Sequence, residues 1–155
     1  MMPSLSEKYL PALRQMNVVL FVCLFVLIKF IPAYISSKLT YILTDKPITG
    51  GAVIFGNIYQ TFFTVAILAP LAETYFCQYL FFRHLSKYIS SSKIVLLSAL
   101  VFSLFHLYNA GYFFHAFFAG AILSFSYSCR ERPHPFISTA LIHSVYNTIV
   151  LIVNP

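Results

Sequence analysis

Four of the 155 residues are acidic: Glu7, Asp45, Glu73 and Glu131. Three of them stand beside Lys or Arg in polar segments, whereas Glu73 lies inside a long apolar run. His106 and His143 fall in two further apolar runs. An ionisable side chain in such a run is costly to bury without a partner, which makes each a functional candidate by default. The chemistry open to them is acid/base work. A carboxyl group and a neutral imidazole can share one water and trade its proton. A second imidazole and a carboxamide are donors suited to the oxyanion of a tetrahedral centre. Asn147 supplies the carboxamide: it is four residues after His143, on the same helical face. Phe102 stands in the same relation to His106, Thr74 is adjacent to Glu73, and Gln78 is five residues beyond it. Together these groups suit attack of water on a peptide carbonyl. A glutamate with two histidines is also a known catalytic zinc set. The chain has no H-E-x-x-H segment, so zinc at Glu73, His106 and His143 is the less favoured reading, and no metal or other cofactor is expected.

The elements that must carry these residues follow from composition. Apolar residues make up 59% and charged residues 9%, and the mean hydropathy is +0.81. Soluble domains sit near half apolar and a quarter charged, which excludes an ordinary cytosolic domain, a disordered tail and a secreted disulfide scaffold. The formal charge is +6, but no basic stripe with interleaved aromatics is present, so no nucleic-acid partner is expected. The bases lie between apolar runs, a pattern of membrane topology. Cys23, Cys77 and Cys129 are odd in number and form no CxxC pair, which argues against a zinc ribbon or a disulfide framework.

Five apolar runs can be traced: Met16 to about Ser36, Ala52 to Phe82, Ile94 to about Asn109, Tyr112 to Cys129, and Phe136 to Val153. They predict one all-α domain over residues 1–155, a polytopic membrane bundle of about five transmembrane helices. The first run is too long for a signal-peptide core and no clear A-x-A site follows it, so a retained helix is expected. Lys29, near its far end, is expected to snorkel to the interface. The second run would extend about 46 Å as a straight helix, against a hydrocarbon core of about 30 Å. Pro70 lies inside it and predicts a kink or break. With the N-terminus in the cytoplasm, seven bases (Lys8, Arg14, Arg83, Lys87, Lys93, Arg130 and Arg132) fall inside and two (Lys38 and Lys46) outside, as the positive-inside rule requires. Counting helical rise from the basic connectors places Glu73, His106 and His143 roughly 15, 20 and 17 Å above the cytoplasmic face, in one layer near the midplane. His115 lies near the outer end of its hairpin, where a structural role is expected; His84 and His134 sit in basic connectors and are expected to be solvated.

Three segments carry a family resemblance. The first reads Ala69-Pro70-Leu71-Ala72-Glu73-Thr74-Tyr75-Phe76-Cys77-Gln78, the second Phe102-Ser103-Leu104-Phe105-His106, the third His143-Ser144-Val145-Tyr146-Asn147. They resemble, in order, the E-E-x-x-x-R, F-x-x-x-H and H-x-x-x-N motifs of the CAAX-protease and bacteriocin-processing (CPBP, or Abi) intramembrane proteases. His115 to Gly120 resembles that family's small-residue helix. The likeness covers about residues 65–150, more than half of the chain.

The resemblance implies an intramembrane endopeptidase acting on a membrane-associated protein or peptide in a bacterial cytoplasmic membrane. Glu73 and His106 would activate the water, His143 and Asn147 would hold the oxyanion, and Thr74, Gln78 and Phe102 would bind substrate or support the site. A metal-free, glutamate-type mechanism is the favoured form. Two positions depart from the pattern: the second Glu is Thr74 and the Arg is Gln78. Such an exchange replaces an ion pair by a Thr/Gln hydrogen-bonding pair, reasonable where desolvating charges is costly. The competing readings are a non-catalytic immunity or scaffold protein of the same fold and, less well supported without an internal repeat, a proton carrier.

Overall fold

A bilayer offers backbone amides no partner but one another, so the apolar runs fold as helices. The computed structural model describes residues 5–47, 57–130 and 134–153, and every element among them is helical. We number them α1 (Leu5–Gln15), α2 (Val18–Thr44), α3 (Ile58–Leu85), α4 (Ser91–Leu104), α5 (Ala110–Cys129) and α6 (Pro135–Val153). Helices α2, α3, α5 and α6 are long and apolar enough to cross a membrane, and α4 is a shorter apolar helix. The protein is thus an integral membrane bundle of four full-length candidate spans and a fifth of 14 residues. The Gly50-Gly51 pair, the Ala52 start of the second run, and Glu131 and Arg132 lie outside the described residues, as does the side chain of Glu7.

Burial is inverted relative to a soluble domain, as lipid demands. Ser98, Ser103, Ser124, Ser126, Ser138 and Thr139 are buried, while Leu27, Ile31, Leu96, Phe118 and Ile137 face outward. The apolar core joins Phe21 and Phe25 of α2, Phe102 of α4, Leu123 of α5 and Ile142 of α6. Helix α5 packs against α2, α4 and α6. Gly120 permits its approach to α4: a Cβ there would stand 2.9 Å from the Phe102 Cβ.

Helix α2 begins at Asn17, whose side chain accepts from the Val19 amide at 2.8 Å, a standard N-cap. It runs on past Ser36 to Thr44 and ends where Asp45 turns left-handed. The segment 37–44 reads as a connector in polarity but carries no helix breaker. Lys29 therefore lies eleven residues from one end of α2 and fifteen from the other (29 − 18 and 44 − 29). That distance corrects the expectation that it snorkels: Lys29 is 1% exposed and its Nζ lies 4.1 Å from the centre of the Tyr146 ring.

Helix α3 opens with a capping box between Asn57 and Gln60. Pro70 does not break it. The helix widens into a π-turn at Thr64–Leu68, returns to α geometry over Ala69–Glu73, and widens again at Thr74–Tyr79. The first wide turn bonds the Ala69 amide to the Thr64 carbonyl, five residues back, and so meets the proline directly with loosened backbone. Glu73 sits between the two wide turns.

Helix α4 stops at Leu104, five residues short of the expected Asn109 (109 − 104). Its end has a local cause. The His106 ring nitrogen Nδ1 lies 2.8 Å from the Phe102 carbonyl, the acceptor that the His106 amide would use in a continued helix, and that amide bonds Ser103 instead.

Candidate active site

The layer inferred from helix counting closes around one carboxylate. Glu73 Oε1 lies 3.8 Å from His106 Nε2, and Glu73 Oε2 lies 3.5 Å from His143 Nε2. The three side chains come from α3, the turn after α4, and α6. They border a cavity of about 250 Å³ that Phe102, Asn147 and Lys29 also line. Both N···O gaps exceed the length of a direct charge-assisted hydrogen bond. A water to one side of the 3.8 Å gap would bond both groups.

The tautomer of His106 follows from its partner. A carbonyl oxygen only accepts, so Nδ1 carries the hydrogen and donates to Phe102. In the neutral ring Nε2 then holds the lone pair, and it is Nε2 that faces Glu73. The Phe102 ring stacks on His106 with centroids 4.4 Å apart and touches His143 at 5.7 Å. Phe102 thus fixes one histidine through its carbonyl and ring, and braces the other.

Asn147 borders the cavity, but its Nδ2 donates to the Val65 carbonyl at 2.9 Å. That carbonyl lies in the first π-turn, so Asn147 ties α6 to the widened part of α3. One amide hydrogen remains for another acceptor. His143 Nδ1 is buried without a hydrogen-bond partner.

Thr74 and Gln78 are fully buried and do not border the cavity. The expected Thr/Gln pair is not formed. The π-turn that spans both carries Gln78 toward α5, where its Nε2 lies 3.5 Å from Ser124 Oγ. Ser124 in turn pairs with Ser98, which donates to the Cys77 carbonyl at 2.6 Å. Thr74 Oγ1 and Gln78 Oε1 are left without partners.

Among the further residues that line the cavity are Lys29, Tyr112 and His115. The sequence places Lys29 at the interface and gives His115 a structural role near the outer end of its hairpin. Tyr112 belongs to none of the three motifs; its ring lies 6.0 Å from His106 and 5.6 Å from His115. The rule that singled out Glu73 applies equally to a lone lysine inside an apolar run. Among the described residues no group of three or more His, Cys, Asp or Glu side chains converges as a metal-ligand set. Lys29 brings an amine side chain to the same cavity.

Compared with known proteins, residues 55–149 match the family model for type II CAAX prenyl endopeptidase Rce1-like proteins. No curated protein and no solved structure matches the chain. The matched segment holds Glu73, His106, His143 and Asn147; Lys29 lies outside it.

Proposed function

The chain belongs to the Rce1-like family of type II CAAX prenyl endopeptidases, and on that premise we propose that it hydrolyses a peptide bond in a membrane-associated protein or peptide with water activated by Glu73 and His106. The observation that carries this reading is the convergence of His106 and His143 on the two oxygens of Glu73, each within 3.8 Å, at a cavity inside the bundle.

The chemistry follows from the donors and acceptors in place. A water between Glu73 Oε1 and His106 Nε2 meets two acceptors when the carboxylate is ionised and the imidazole neutral. Its oxygen attacks the carbonyl carbon of the substrate while one proton passes to the carboxylate. The carbonyl electron pair moves onto oxygen, toward the free amide hydrogen of Asn147 and the His143 side of the cavity. Collapse of this centre breaks the C–N bond, and Glu73 returns the proton to the leaving amine. No step needs a metal ion. We take the N-terminus to be cytoplasmic, as the excess of Lys and Arg in the connectors suggests.

The test is purified protein in liposomes, presented with fluorogenic peptides in prenylated and unprenylated forms, with products identified by mass. One defined scission that requires insertion in the bilayer supports the proposal. Intact peptides in both forms would leave the non-catalytic reading of the same fold.

A further inference from the structure

Lys29 is the one Lys or Arg among the described residues that border the cavity. It belongs to α2, outside the residues that match the family model. An ammonium group in mid-span is costly and is retained where it meets a partner or a function. Here it is held in place. Its Nζ lies 4.1 Å from the Tyr146 ring centre, and the neighbouring Phe30 packs on the same ring at 4.9 Å. Tyr146 is adjacent in sequence to Asn147 and one helical turn from His143.

The donors expected at the oxyanion are each partly engaged. Asn147 spends one hydrogen on Val65, and His143 turns Nε2 toward Glu73. Yet as water adds, its proton neutralises the Glu73 carboxylate and the negative charge passes to the substrate carbonyl oxygen, where it is costly in a water-poor cavity. A fixed cation in a water-poor cavity opposes that cost more effectively than a neutral amide. We propose that Lys29 is a catalytic residue whose Nζ donates to the substrate carbonyl oxygen as it becomes negative. The inference rests on the hydrolytic reading above. Lys29 transfers no proton: the carbonyl electron pair moves onto oxygen as water adds, and returns when the C–N bond breaks.

The test compares wild type, K29M, K29R and E73Q in liposomes with a peptide that the wild type cleaves, and with the phosphinate analogue of that peptide, an anionic mimic of the tetrahedral centre. Methionine keeps much of the volume and removes the charge. K29M is expected to lower kcat about 100-fold, the scale for losing one oxyanion donor. Phosphinate affinity should fall by a similar factor while KM stays within about twofold, since the lost contact belongs to the transition state. K29R keeps the charge and should recover part of both losses. If K29M does not fold, Lys29→Gln takes its place, with both losses again expected. Wild-type kcat and phosphinate affinity in the uncharged variant, with E73Q inactive, would overturn this inference and leave the hydrolytic reading intact. A fall in kcat without a fall in phosphinate affinity would also overturn it, since that is the mark of a merely structural lysine. Undiminished cleavage by E73Q would overturn both.

Discussion

His106 is bonded through Nδ1 to the carbonyl of Phe102 at 2.8 Å, and that bond aims Nε2 at Glu73. It ends α4 and sets the tautomer that leaves the Nε2 lone pair facing the attacking water. Replacing His106 by Gln keeps a side-chain donor but removes the lone pair that faces the carboxylate. Its kcat is expected to fall by about 10² to 10⁴, the usual contribution of a positioned acid or base. Steady-state kinetics on reconstituted protein would check this, and a near wild-type kcat would remove His106 from the proposed chemistry.

Gly120 holds the site together at one remove. A Cβ at this position would stand 2.9 Å from Phe102 Cβ and 3.1 Å from its Cδ1, so Phe102 must shift, and His106 with it. Gly120→Ala is expected to cost about 1–3 kcal/mol in stability, as overpacking does, and to lower activity. Gly120→Ala should cost less in a Phe102→Ala background, which lacks the Cγ and Cδ1 atoms 3.1 Å away. The double-mutant cycle measures the coupling, and strictly additive effects would deny the contact.

Thr74 Oγ1 is buried without a partner. Val has nearly the same shape and no hydroxyl to leave unsatisfied. Thr74→Val is therefore expected to leave stability unchanged or to raise it by about 1 kcal/mol. Thermal or denaturant unfolding in detergent reads this out, and a clear loss of stability would show that the hydroxyl has a partner after all.

Asn147 anchors the first π-turn through Val65. Asn147→Leu should weaken the bundle by about 0.6–2 kcal/mol, the range for interhelical hydrogen bonds in membranes. Hydrogen exchange should rise at residues 64–68, and unchanged protection there would argue against the anchor.

How far the sequence led can be seen at individual residues. Helical rise from the basic connectors puts Glu73, His106 and His143 in one layer, and both histidines lie within 3.8 Å of Glu73 although α3 widens twice and α4 ends before His106. The same logic misplaced Lys29, since the polar segment 37–44 looks like a connector and is helix. The π-turns of α3 are invisible to a pattern of period 3.6, and with them went the partners of Asn147 and Gln78. A carbonyl freed by a wide turn, like the Ser98–Ser124 layer below the site, becomes legible only once the helices are packed.

A metal-free mechanism makes its own demand. Exhaustive treatment with a chelator, followed by measurement of residual metal, is expected to leave kcat unchanged. Loss of activity restored by added zinc would instead assign Glu73, His106 and His143 as ligands.

The central claim is that the Glu73 carboxylate moves the proton of the attacking water. Glu73→Gln preserves size and leaves an amide that cannot accept that proton. Measured on reconstituted protein of unchanged helicity, with the peptide that the wild type cleaves, E73Q is expected to lower kcat by on the order of 10³-fold or more. Cleavage at the wild-type rate, at the same bond, would contradict the claim.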